Sequence, residues 1–276
     1  MKIYILLFCT AFVLFSCQEE KKAEKETKDE PIIEKEVEQK KELSPAEQFA
    51  TNIQSAHQTS DFKSQEAVQF QLDLMFGGKQ RMKAKITMLT NSSKIKIEKE
   101  DGTVLMYDNE KASLFPEENN YDGARFDMFT WTYFFALPFK LTDPGTNWQD
   151  LNEDNLNETP YDTAKLTFGD NIGDAPDDWY VIYSDKQTKL MKAAAYIVTF
   201  GKDTATAEEN PHAIVYDNYF SVSNVAFAKD WSFYNWSEEE GIYGEPIGSA
   251  KISNLKFLET EDGFFKAPKE SVEIKK

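Results

Sequence analysis

Cysteine is nearly missing from this chain: Cys9 and Cys17 are the only two in 276 residues. A disulfide framework is thereby excluded, and so is a cysteine-built zinc site, which needs repeated CxxC spacing. Histidine is equally scarce, limited to His57 and His212. Neither stands in an HxxxH, HExxH or G-x-S-x-G setting, so the metalloprotease and nucleophile-elbow templates fail. Both are read as surface or strand-end residues. Positive charge is short as well, with 31 Lys and Arg against 48 Asp and Glu and a formal charge of −17. That balance excludes a phosphate-tracking nucleic-acid binder and docking on anionic lipid headgroups by charge. Glycine-rich phosphate loops are absent. Carboxylates are so abundant that some pair must fall at glycosidase separation by chance, so they indicate no hydrolase on their own. Asp150-Leu151-Asn152-Glu153-Asp154 opens like a calcium loop, but position six is Asn155 instead of Gly and position twelve is Tyr161 instead of Glu. An EF-hand is rejected, leaving adventitious calcium at most. No catalytic residue, metal ligand or cofactor is assigned, and no enzyme is expected.

A run of about 20 apolar residues, enough to span a bilayer as a helix, is also lacking. The uncharged run from Ile3 to Phe15, following Lys2, is shorter and has the form of a secretory signal. Its end, Leu14-Phe15-Ser16-Cys17, resembles the lipobox of bacterial lipoproteins. The resemblance implies cleavage before Cys17 and acylation of that cysteine, for example by palmitate. An ordinary signal peptide with an incidental cysteine is the alternative. Cleavage would discard Cys9 and leave one lipid-blocked thiol, which removes thiol catalysis from consideration. Residues 1–16 are therefore read as the signal peptide and 17–43 as the lipidated cysteine with a charged, flexible tether. A coil of that length reaches roughly 25–30 Å. Gln18-Glu19-Glu20-Lys21-Lys22 resembles an acidic surface-routing tag, or is simply the start of the linker, so either face of the outer membrane is open.

The remainder, 44–270, reads as one domain, with 271–276 as a tail. Ser44-Pro45-Ala46-Glu47 carries the signature of a capped helix start, and Phe49, Ile53 and Ala56 continue it at helical spacing to about His57. The period then becomes two. Val68, Phe70, Leu72, Leu74 and Phe76 alternate with polar neighbours, Gly77-Gly78 supplies hairpin chemistry, and Met82, Ala84, Ile86 and Met88 alternate in turn. Short strands follow around Ile95–Ile97, Val104–Tyr107 and Ala112–Phe115. Met128–Phe139 is apolar all round and predicts a buried helix stopped at Pro138. Further strands are expected at 161–168, 179–184, 190–200, 212–216, 220–227, 231–236 and 251–259. Ten or more strands with few helices imply a mainly β (α+β) fold, one large curled antiparallel sheet or barrel.

The long strand pair DDWYVIYSDKQTKLMKAAAYIVTF, behind a central apolar helix, resembles the outer-membrane lipoprotein-sorting (LolA/LolB-like) family. The resemblance implies a large curved antiparallel sheet forming an open half-barrel, with a few helices covering its concave face and acyl chains carried inside. Trp131-Thr132-Tyr133-Phe134-Phe135, Leu137-Pro138-Phe139 and Asp178-Trp179-Tyr180 also resemble uncharacterised anchored lipoproteins of similar length. A soluble carrier is not itself lipidated, so an anchored receptor is the nearer analogue, and neither Arg81 nor Arg125 is assigned a cavity role. On this resemblance Phe70, Leu72, Leu74, Met82, Ile86 and Met88 line either a hollow or an ordinary core. Trp131, Phe134 and Phe135 are core helix or lid. The expected function is binding of a lipid or acyl chain by an outer-membrane-anchored protein. Two alternatives stand beside it: a non-catalytic interaction subunit with a filled interior and an envelope protein partner, and a carbohydrate-binding surface on the ring-rich stretch Trp231–Tyr243.

Overall fold

The computed structural model describes residues 42–276, apart from residue 157. The signal peptide, Cys17 and the tether as far as residue 41 lie outside the described residues. Helix α1 (Pro45–Ala56) starts as its sequence requires: the Ser44 hydroxyl accepts from the Glu47 amide at 3.2 Å, and the Glu47 carboxylate accepts from the Ser44 amide at 2.7 Å. These two bonds satisfy donors that a helix start otherwise leaves free. Its apolar face, Ala46, Phe49, Ala50 and Ile53, is buried. A short α2 (Thr59–Ser64), unforeseen from sequence, follows after Gln58 turns left-handed at φ 57°.

Strands β1 (Ala67–Phe76) and β2 (Lys79–Leu89) form a hairpin through Gly77 and Gly78, both at positive φ, where glycine carries no steric penalty. The register places Phe70 opposite Ile86, Leu72 opposite Ala84 and Leu74 opposite Met82, so the two apolar stripes share one face. β3 (Ile95–Lys99), β4 (Val104–Tyr107) and β5 (Ala112–Phe115) complete this half. Helix α3 (Ala124–Lys140) intervenes, and then come β6 (Thr146–Leu156), β7 (Thr159–Phe168), β8 (Tyr180–Ser184) and β9 (Met191–Tyr196). A short α4 (Thr204–Glu208) precedes β10 (His212–Val222), β11 (Val225–Ser237), β12 (Gly241–Leu258) and β13 (Val272–Glu273).

All thirteen strands lie in one antiparallel sheet, ordered β13-β5-β4-β3-β2-β1-β12-β11-β10-β9-β8-β7-β6. The two meanders join where β1 pairs with β12, and β13 and β6 remain as edges, so the barrel is not closed. The expected open, curved sheet with covering helices is what forms. Its curvature is visible in the reach of α3, whose rings meet Phe70 on β1, Tyr107 on β4, Tyr180 on β8 and Phe233 on β11.

Several boundaries differ from the sequence reading. Pro138 lies inside α3 instead of ending it. A proline there withholds the amide that would bond the carbonyl of Phe134, four residues earlier. The Tyr216 hydroxyl donates to that carbonyl instead, at 2.9 Å, and the helix runs on. The span 220–227 is a hairpin and not one strand, turning through Ser223 and Asn224 at φ 49° and 70°. The residues set apart as a tail are also structural: Val272 and Glu273 pair with β5, and the Ile274 amide donates to Ala112 O.

Candidate functional site

The concave face is where a ligand was expected. Phe70, Leu72, Leu74, Met82, Ile86 and Met88 all face it from β1 and β2, each 0–1% exposed. Trp131, Phe134 and Phe135 descend on them from α3. Phe135 stacks on Phe70 at 4.0 Å and on Phe227 at 5.5 Å, and Trp131 meets Phe233 edge-on at 5.8 Å. All nine belong to one packed cluster. Next to Phe135, between His57, Phe139, Tyr219 and Phe227, lies a space of about 10 Å³, hardly a single water's worth. In this structure the six strand residues pack in one cluster with Trp131, Phe134 and Phe135 of α3.

Both arginines act as fasteners for that helix. Asp127, fully buried in its first turn, accepts from Arg81 Nη2 (2.9 Å), the Tyr121 hydroxyl (2.8 Å) and Trp131 Nε1 (2.9 Å). Three donors on one carboxylate are what a buried charge needs to be tolerated. Arg125 forks onto Asp174 and also donates to Ile274 O, tying α3 to the C-terminal strand.

His57 is buried, at 1% exposure, and this corrects its reading as a surface residue. The Met191 amide donates to Nε2 at 3.1 Å. An amide only donates, so Nε2 holds the lone pair and Nδ1 carries the proton, directed at Ala226 O at 3.1 Å. The ring is thus a neutral clip between the end of α1, β9 and β11. Burial lowers its pKa to about 4, against a smaller opposing effect of the Ala226 carbonyl. No pattern in the sequence marked it, because the partners are backbone groups more than a hundred residues away.

A second, smaller cluster covers the opposite face of β8–β10: Tyr183, Ala193, Ala195 and Ala213, with Leu156, Tyr161 and Trp236. Beside it a groove of about 440 Å³ opens between Trp179, Pro211, Trp236 and Tyr243. Glu208, Glu209, Glu238 and Lys165 edge it. Among the described residues no group of three or more His, Cys, Asp or Glu side chains is disposed to hold a metal. No described helix is long and apolar enough to cross a membrane.

Among solved structures the chain is similar to a LolA superfamily protein from Nitrosomonas europaea, at 10% identity and a TM-score of 0.51, over 78% of this chain and 97% of that one. It is also similar to a DUF1329 family protein from Desulfovibrio piger, at 12% identity and a TM-score of 0.51, over 81% of this chain and 98% of that one. The fold is the LolA-like open half-barrel, and at such identity the likeness speaks for the fold alone. The chain itself belongs to a family of unknown function, DUF6503, whose model matches residues 1–240. None of the curated proteins matches it.

Proposed function

We propose that this chain is a lipid-anchored, non-catalytic binding protein of the bacterial outer membrane, held through Cys17, whose sheet is filled by its own helices and whose recognition takes place on its surface. The observation that carries the reading is the packing of the concave face, where Phe70, Leu72, Leu74, Met82, Ile86 and Met88 are 0–1% exposed in one cluster with Trp131, Phe134 and Phe135 of α3. These side chains are covered by the chain's own helix, so an acyl chain would have to displace α3 to reach Phe70, Leu72, Leu74 and their neighbours. The lipobox-like end of the leader supports the anchor, and the LolA-like fold is in keeping with a protein that binds without chemistry.

One observation favours a second reading, in which α3 leaves and an apolar chain takes its place. The helix is apolar on nearly every side, and its N-cap, Gly123, supplies no side-chain cap. Phe70, Leu72, Leu74, Met82, Ile86, Met88, Trp131, Phe134 and Phe135 would then line the vacated slot. Fluorescent fatty-acid titration of the unacylated chain from Gln18 onward separates the two. A filled interior gives no saturable signal. Saturable micromolar uptake would replace the first reading by the second.

A further inference from the structure

We infer that the groove beside Trp179 and Tyr243 is a binding site for a neutral oligosaccharide. This deepens the surface-binding reading above and rests on it, but it is independent of how the interior is filled, because the groove lies on the other face of the sheet. Lys165 on β7 pairs with Val181, and Trp179, Val181 and Tyr183 alternate outward, away from Tyr180 and Ile182 of the main core.

The volume, about 440 Å³, is that of a small-molecule site. Its walls combine two kinds of surface. The rings of Trp179 and Tyr243 are partly or largely open, Tyr243 being 38% exposed. Trp179 is half-buried, with Lys165 over its ring and Trp236 edge-on at 5.9 Å. The open flat face, of the kind that the C–H face of a pyranose covers, is therefore that of Tyr243. Around the two rings stand planar polar groups: the carboxylates of Glu209 and Glu238 and the amides of Asn210 and Asn235. None of these four side chains hydrogen-bonds to another described residue. They present acceptors and donors together, which suits hydroxyls, since each hydroxyl both gives and accepts.

Charge narrows the ligand class. Three carboxylates, Glu208, Glu209 and Glu238, repel an anionic sugar. The same carboxylates attract a cation, but its place over the Trp179 ring is already taken. Lys165 Nζ already sits 4.8 Å from the centre of the Trp179 ring, whose indole N–H donates to Glu208 at 3.0 Å. Lys165 makes no ion pair with any described residue, whereas lysines such as Lys63, Lys83 and Lys192 pair with carboxylates. The cation position on that ring is filled from within the chain, and a second ammonium would meet the first. A neutral, hydroxyl-rich ligand with an apolar face fits what is left.

The test is calorimetric titration of the unacylated chain from Gln18 onward with cellotetraose, maltotetraose, laminaritetraose, xylotetraose and mannotetraose, with tetragalacturonate and spermine as charged probes. At least one neutral tetrasaccharide is expected to bind, and Tyr243→Ala and Glu238→Gln, both at exposed positions, are each expected to weaken it tenfold or more with an unchanged circular dichroism spectrum. Failure of all five neutral sugars, preference for either charged probe, or binding indifferent to both substitutions would overturn the inference. The fatty-acid titration reads the interior separately, so a failure here is distinguishable from a failure of the filled-core reading.

Discussion

Acidification from pH 7.5 to 4.5 is expected to remove about 2.5 kcal/mol of folding stability through His57 alone. In the folded chain its pKa lies at about 4, because the ring is buried and Nε2 is engaged by the Met191 amide. In the unfolded chain it returns to 6.5. Above pH 6.5 neither state is protonated and the contribution is whole. As pH falls below 6.5 the unfolded state takes up a proton that the folded state refuses, and stability declines until the folded ring titrates near pH 4. The many carboxylates titrate over the lower part of this range, so the measurement is a difference. Urea unfolding of the wild type and of His57→Gln, at half-unit steps of pH, gives two stability curves whose gap isolates the one residue. The wild type is expected to be the more stable at pH 7.5 and to lose that advantage by about 2.5 kcal/mol at pH 4.5. A midpoint shift of roughly 5–10 °C in thermal scans corresponds to it. A gap constant across the range would refute the assigned tautomer and the clip it makes between α1 and the sheet.

Three further outcomes follow from the packing and the leader. Leu72→Ala is expected to cost about 2–5 kcal/mol in urea unfolding, and Leu72→Lys to prevent folding, because that side chain faces helix and no solvent. Retention of a folded Leu72→Lys protein would contradict a filled core. Asp127→Ala removes the acceptor shared by Arg81, Tyr121 and Trp131. The expected loss is about 3–5 kcal/mol, with faster amide exchange in α3, read by hydrogen–deuterium exchange. Cys17→Ser is expected to abolish palmitate labelling and release the protein from membranes on fractionation. Labelled, membrane-bound Cys17→Ser protein would rule out that anchor.

Much of the fold was legible because its strands are half wet. In β1 and β2 the alternation from Val68 to Met88 fixed both the strands and the face they bury, and the Ser44–Glu47 capping box marked the start of α1. β6 escaped notice because nearly all of Thr146–Leu156 is polar and exposed, with only Trp148 and Leu156 tying it to apolar clusters. Its sequence resembled the opening of a calcium loop for the same reason. The concave face was legible as apolar but not as filled: periodicity reports that Leu72 or Met82 is buried, and says nothing of whether α3 or a ligand does the burying. Pro138 read as a stop because the compensating Tyr216 hydroxyl lies far along the chain. The groove shows the same limit. Trp236 and Tyr243 stood out within one aromatic stretch, but their meeting with Trp179, Lys165 and Glu208 depends on strand register from β12 through to β7 and on the place of α4.

Native mass spectrometry of the unacylated chain from Gln18 onward, isolated from cells without detergent, addresses the filled interior most directly. The account predicts a single bare polypeptide mass under gentle ionisation. A stoichiometric adduct of several hundred daltons that extracts into organic solvent as lipid would contradict it, and would show that α3 gives way to an apolar guest.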